Sequence, residues 1–230
     1  MAIITRAGKG SALTHTEMDN NLTELNTRPN GQTFPSDPTV GIKISGATPD
    51  WGWADLLGTL ITVDGTATET VYIGNIKQPQ FAEGDDAYIS FHMPHDYVLG
   101  SEMYIHIHWS HNTAIVTGGT VTWAFETTYS KGHNQDYFRT PVIITVASSG
   151  STIPYQHIIA ETVATTPGGS AVLLNTNDME IDGIIICRIY LDSNDLLTTG
   201  ATVNPFVHYV DLHYQSTGIG TKNKAPNFYS

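Results

Sequence analysis

A chain of 230 residues, 14% charged and 10% aromatic, with 21 glycines and 11 prolines, has enough apolar material for one substantial core, which excludes wholesale disorder. Its formal net charge of −12 excludes a sequence-independent nucleic-acid binder, which needs a basic stripe to displace phosphate counterions. A single cysteine, Cys187, excludes an internal disulfide and a multi-cysteine metal site.

No stretch approaches the ~20 apolar residues of a membrane span, so no membrane insertion is expected. The N-terminus lacks the apolar region of a signal peptide, and production in a cytoplasm follows as the expectation. The charge is uneven. Arg6, Lys9, Arg28, Lys222 and Lys224 put half of the ten basic residues in the termini, while residues 43–215 hold five basic and eighteen acidic ones. Basic arms of this kind suit an acidic neighbour, including the body of another copy.

Residues 1–10 read as an extended arm, and a helix over 15–26 follows. Thr14 suits the N-cap, Glu17 completes a capping box, and Leu13 with Met18 forms a hydrophobic staple. Asp19 favours the positive end of the macrodipole, and Pro29-Asn30-Gly31 closes the segment. The apolar stripe of Met18, Leu22 and Leu25 is narrow, with the spacing of a coiled-coil seam. A lone helix of about 12 residues is marginal in water, so this one needs a partner surface.

The expected domain plan is an attachment or trimerisation segment over 1–30, a linker over 31–57, a β domain over 58–215 and a C-terminal arm over 216–230. Phe34-Pro-Ser-Asp-Pro38 and Ala47-Thr-Pro-Asp50 punctuate the linker, and Trp51 and Trp53 anchor the start of the compact part. Strands are expected at 60–63, 70–73, 87–92, 102–109, 120–126, 142–147, 155–163, 183–191 and 203–214. Alternation puts Met103, Ile105, Ile107 and Trp109 on one face, and Val121, Trp123 and Phe125 on another inward face. The fold class is therefore mainly β, an antiparallel β-sandwich or jelly roll preceded by one short N-terminal helix. In the tail, Phe228 and Tyr229 are large side chains for a free end, and are expected to pack on a neighbouring surface.

Ten histidines raise the question of a metal. His106 and His108 lie two apart on one strand beside Tyr104, with His92, His95, His111, His208 and His213 elsewhere. No established metal signature is present, and stacked histidine and tyrosine also suit a half-buried face between subunits, so no metal or other cofactor is expected. Asp178-Met-Glu-Ile-Asp-Gly183 matches only the front of a calcium loop, and Asp182-Gly183 reads better as a turn. Glu83–Asp86 and Asp192–Asp195 are acidic turns. Asp55, His95, Asp96 and Glu102 are the acid–base candidates for a glycosidase-like pair, but no nucleophile elbow or phosphate loop accompanies them. The expectation is no enzyme and no catalytic residue.

The segment Arg6-Ala-Gly-Lys-Gly-Ser-Ala-Leu-Thr-His-Thr-Glu-Met-Asp-Asn-Asn-Leu22 resembles the G-K-G-S-x-L-T-x-x-E-x-D-x-N-[FL] segment near the N-termini of tailed-bacteriophage tail fibres and related virion appendage proteins. The match covers about 20 residues and includes Gly8, Lys9, Gly10, Ser11, Leu13, Thr14, Glu17, Asp19 and Asn21, with Leu22 where Phe is frequent. The resemblance implies a virion protein, usually a homotrimer, anchored by this segment with its β domain projecting outward. Leu13, Met18, Leu22, Leu25, Phe228 and Tyr229 are then the expected oligomerisation and attachment residues. A tail fibre or fibre adaptor is the first expectation, a capsid decoration or head-fibre protein the second, and a module binding or processing host surface glycan the third. The expected partners are further copies of the chain and other proteins of the tail or capsid.

Overall fold

The computed structural model describes residues 10–27, 51–60, 65–113, 119–198 and 200–218. Helix α1 runs His15–Thr27, and its start is chemically complete. The Thr14 backbone N–H donates to Glu17 Oε2 at 2.7 Å, and the Glu17 N–H donates to Thr14 Oγ1 at 3.2 Å. The two otherwise orphaned donors are thereby satisfied reciprocally.

Among the described residues twelve strands follow: β1 Gly52–Gly58, β2 Thr68–Ile73, β3 Ile76–Gln80, β4 Asp86–His92, β5 Tyr104–Ser110, β6 Thr120–Ser130, β7 Val142–Ser149, β8 Ile158–Val163, β9 Thr165–Thr166, β10 Leu174–Asn175, β11 Ile184–Asn194 and β12 Phe206–Ser216. They form two main antiparallel sheets. One has the order β2-β3-β12-β5-β8, with β1 also paired to β12; the other is β4-β11-β6-β7. The two-residue strands β9 and β10 pair in parallel. At one side of the molecule β7 packs by β8, and at the other β1 packs by β4. This is a β-sandwich.

Alternation along the strands builds its interior. Ile105, Ile107 and Trp109 of β5 face Val121, Trp123 and Phe125 of β6, with Phe81, Ile89, Phe91, Cys187, Ile189 and Leu212 around them, all buried. Rings meet edge to face at the centre: Phe81 lies 5.5 Å from Trp123, and Trp109 lies 6.3 Å from Trp123. The Trp109 Nε1–H donates to Ser148 Oγ at 3.0 Å, so the indole is buried without losing its hydrogen bond.

Two departures from the sequence reading have clear causes. Residues 52–57, assigned by the sequence to the linker, are strand β1, paired from Gly52↔Ser216 to Gly58↔Val210. Glycines at both ends and only a short alternating run hide the strand. At Gly58 a Cβ would sit 2.4 Å from Ile89 Cδ1 and 2.5 Å from Phe91 Cε1, so any larger residue has to displace these core side chains. Strand β3 carries Pro79, which argues against a strand in sequence; it pairs along β2 and meets β12 only at Phe206↔Gln80. The expected strand 60–63 lies mostly outside the described residues, as do the 1–9 arm, residues 28–50 and the tail with Phe228 and Tyr229.

Candidate functional site

The chemistry gathers on the outer face of the six-stranded sheet. Antiparallel register sets side chains from four adjacent strands in rows. Asp55 (β1), His213 (β12) and Tyr104 (β5) form one row; Leu57, Asp211, His106 and Glu161 (β8) form the next; Tyr209, His108 and Ile159 form the third. Such a face usually meets water, but here His106, His108, Ser110 and Asp211 are buried, with Asp211 only 2% exposed.

Carboxylates hold the imidazoles. His106 Nε2 bonds Glu161, and His213 Nε2 bonds Asp55. Asp211 Oδ2 lies 3.8 Å from His106 Nδ1 and 3.9 Å from His213 Nε2. The rings of His106 and His213 are 3.7 Å apart, centre to centre. His108 stacks on Tyr209 at 3.9 Å and shares a 2.8 Å hydrogen bond between its Nδ1 and His157 Nε2. Its Nε2 lies 3.0 Å from Asp211 Oδ1, yet neither atom meets hydrogen-bond geometry with any partner among the described residues.

Burial dominates the electrostatics. It pushes His108 down to about 4, helped by the neighbouring charges of His157 and His106. It pushes the Asp211 carboxyl up, against the opposing pull of His106. An open hollow of about 330 Å³, lined by Trp53, Tyr104, Glu161 and His213, leads onto this cluster. Trp53 and Tyr104 meet edge to face at 5.5 Å. Further along the face, His208 Nδ1–H donates to Gln78 Oε1 (3.2 Å) and its Nε2 pairs with Ser110 Oγ (2.8 Å), with Tyr72 Oη 2.7 Å from the same Ser110.

A second histidine group surrounds one carboxylate at an end of the sandwich. His95 Nε2 is 2.8 Å from Asp182 Oδ1, His92 Nε2 is 3.4 Å from the same atom, and His133 Nε2 is 2.9 Å from Oδ2. Asp182 is in a turn at φ 59, as the Asp-Gly pair predicts, and its carboxylate is committed to imidazoles. Burial would raise this carboxyl, but the hydrogen bond from His133 and the charge of His95 outweigh it and hold it below the usual range.

The acid–base candidates are not brought together. Asp96 accepts from Tyr214 Oη at 3.0 Å and from Ser216, His95 faces Asp182, and Asp55 faces His213. His111 is buried in a loop beside the Ser151 N–H. Of the attachment candidates, Leu13 is half-buried and Met18 is 40% exposed, while the side chains of Leu22 and Leu25 lie outside the described residues. The sequence reading paired His106 with His108 because they alternate onto one face. Asp211 and Glu161 carry no signal in the sequence, and Asp55, an acid–base candidate there, pairs instead with His213, since only sheet order makes these residues neighbours.

No protein-family model and no curated protein sequence matches the chain. Solved structures with some likeness include CBM35 from Cellvibrio japonicus Abf62, at TM-score 0.36 and 12% identity over 70% of this chain and 92% of that one. An Arthrobacter globiformis T6 isomalto-dextranase complexed with panose has TM-score 0.31 and 15% identity, over 70% of this chain and 22% of that one. Eiger TNF from S. frugiperda has TM-score 0.26 and 8% identity, over 76% and 98%. Likenesses this slight carry no function across.

Proposed function

We propose that the chain is a bacteriophage virion structural protein without enzymatic activity: a homotrimeric tail-fibre or fibre-adaptor module held to the particle by its N-terminal segment. The observation that carries the reading is the capped start of α1. Thr14 and Glu17, both within the segment that resembles phage appendage proteins, close a reciprocal capping box on a helix that leaves Met18 40% exposed. A helix of 13 residues gains most of its stability from what its apolar stripe packs against. Further copies of the helix, or a virion neighbour, supply that surface.

The outer sheet face is a second support. Trp53 (45% exposed), Leu57 (68%), Ile159 and Tyr209 stand among the buried histidines, and a patch of large apolar side chains suits coverage by another protein. The same features fit a capsid decoration or head-fibre protein, and immunogold labelling of virions separates head from tail. A glycan-holding module is the third reading, favoured by the aromatic border of Trp53 and Tyr104 on the open hollow. Glycan-array binding by the isolated protein supports it, and silence removes it.

The decisive test is Met18→Asp combined with Leu22→Asp. The expected result is a β-sandwich that melts as the parent does but is monomeric by analytical ultracentrifugation and missing from purified particles. A double variant that still assembles and stays on the particle overturns the reading.

A further inference from the structure

We infer that His106, Asp211 and His213 form a binding site for a single transition-metal ion of the Zn²⁺ class on the outer sheet face. One ligand atom from each of the three residues lies within 4.8 Å of the other two. Asp211 Oδ2 stands 3.8 and 3.9 Å from nitrogens of the two imidazoles, beyond hydrogen-bonding reach. A tetrahedral zinc with bonds of 2.0–2.2 Å sets its ligands about 3.3–3.5 Å apart. The cluster therefore needs to contract by roughly half an ångström on each measured edge to hold such an ion.

Three independent features point to a cation. The Asp211 side chain is 97% buried, and its Oδ1 has no hydrogen bond among the described residues. A buried carboxylate so placed costs several kcal/mol unless a positive charge joins it, on the order of the general penalty for burying an ion. Next, the outer nitrogen of His106 is already held, whereas His213 Nε2, the atom facing Asp211, is bonded to Asp55 and has to exchange that partner for the ion. Glu161 takes His106 Nε2, which in the neutral ring leaves Nδ1 as a lone pair facing Asp211. Carboxylates that orient a metal-bound imidazole through its other nitrogen are the usual outer support of such sites. Last, the hollow of about 330 Å³ beside His213 gives an ion a way in and leaves room for a water ligand.

Donor chemistry selects the ion. Two imidazoles and one carboxylate suit Zn²⁺, Co²⁺ or Ni²⁺, whereas Ca²⁺ and Mg²⁺ want all-oxygen shells. The Asp182 group is a poorer host, because its three histidines converge on the carboxylate oxygens as hydrogen-bond or ion-pair partners.

The test uses the full chain without a histidine tag, stripped with EDTA and dialysed. Zn²⁺ is titrated by calorimetry and Co²⁺ by visible absorption. The expected result is one ion per chain, a melting temperature that rises with ion concentration, and Co²⁺ bands of a four- or five-coordinate nitrogen–oxygen site. Asp211→Asn and His213→Ala each weaken binding at least tenfold, Glu161→Gln weakens it between 10- and 100-fold, and His92→Ala leaves it unchanged. Circular dichroism of each metal-free variant establishes that it is folded; His213, half exposed, is the variant least able to disturb the sandwich. No uptake by the parent protein overturns the inference, as does uptake that survives both Asp211→Asn and His213→Ala or is lost in His92→Ala. None of these outcomes bears on the virion reading, which rests on α1.

Discussion

His106 on β5 and Asp211 on β12 stand directly opposite one another in the antiparallel ladder, both buried on the face that looks away from the core. Their polar atoms are 3.8 Å apart, and Glu161 and His213 occupy the flanking positions. The sheet thus carries a second interior, polar and histidine-rich, on the side where a sandwich normally meets water.

Removing the imidazole from this pair exposes the cost of the buried carboxylate. In EDTA, His106→Ala is expected to lose about 2–3 kcal/mol by urea denaturation, because Asp211 stays buried with less compensation. His213→Ala, at a half-exposed position facing Asp55, is expected to lose under about 1 kcal/mol. Equal small losses would mean that Asp211 does not depend on His106.

Ser148→Ala removes the acceptor of the Trp109 indole, whose ring is wholly buried against Trp123. An unsatisfied buried donor costs about 1–3 kcal/mol, so the unfolding midpoint falls while the m-value holds. Ser148→Thr, which keeps a hydroxyl, recovers part of the loss. Indole hydrogen-exchange rates at Trp109 give a second readout.

On the outer face of the four-stranded sheet, Arg188 bridges Asp86 at 2.7 Å and Glu126 at 3.2 Å. Burial raises the Asp86 carboxyl, but hydrogen bonds from Arg188 and Thr66 outweigh it and hold it below its usual range. A depressed carboxyl contributes stability above its unfolded value, and that contribution is lost as pH falls through the folded value. Asp86→Asn is expected to cost about 1 kcal/mol at pH 7, allowing for solvent screening at Arg188, and progressively less as the pH falls below the ordinary carboxylate range. A cost that does not shrink on acidification removes the charge from the explanation.

Cys187 lies in the core with Thr127 Oγ1 donating to its sulfur at 3.3 Å, and burial pushes its thiol up to about 12. Alkylation at pH 8 is expected to be at least about 100-fold slower in the native protein than in denaturant, since both thiolate and access are lacking. Rapid native labelling, followed by mass spectrometry, would contradict a closed core at β11.

How much the residues alone convey differs between the core and the outer face. Period-two alternation in Ile105, Ile107, Trp109 and in Val121, Trp123, Phe125 is a local property, and it placed those strands and their inward faces correctly. The helix start was equally legible, because a capping box needs only Thr14 and Glu17 three residues apart. Strand β1 was not, since a glycine-bounded run next to a punctuated linker gains its strand character only from pairing with β12.

The sequence by itself determined a β-rich body, a capped helix, a single cysteine without a disulfide partner and two histidines on one side of one strand. Tertiary structure alone decided which carboxylates those histidines meet. His106, Glu161 and Asp211 are 55, 105 and 50 positions apart in their three pairings, and Asp55 is further still from His213. Local propensity fixes which way a side chain points from its strand; only strand order and register fix what stands beside it. The polar interior on the outer face therefore exists in the fold and nowhere in any short stretch of the chain.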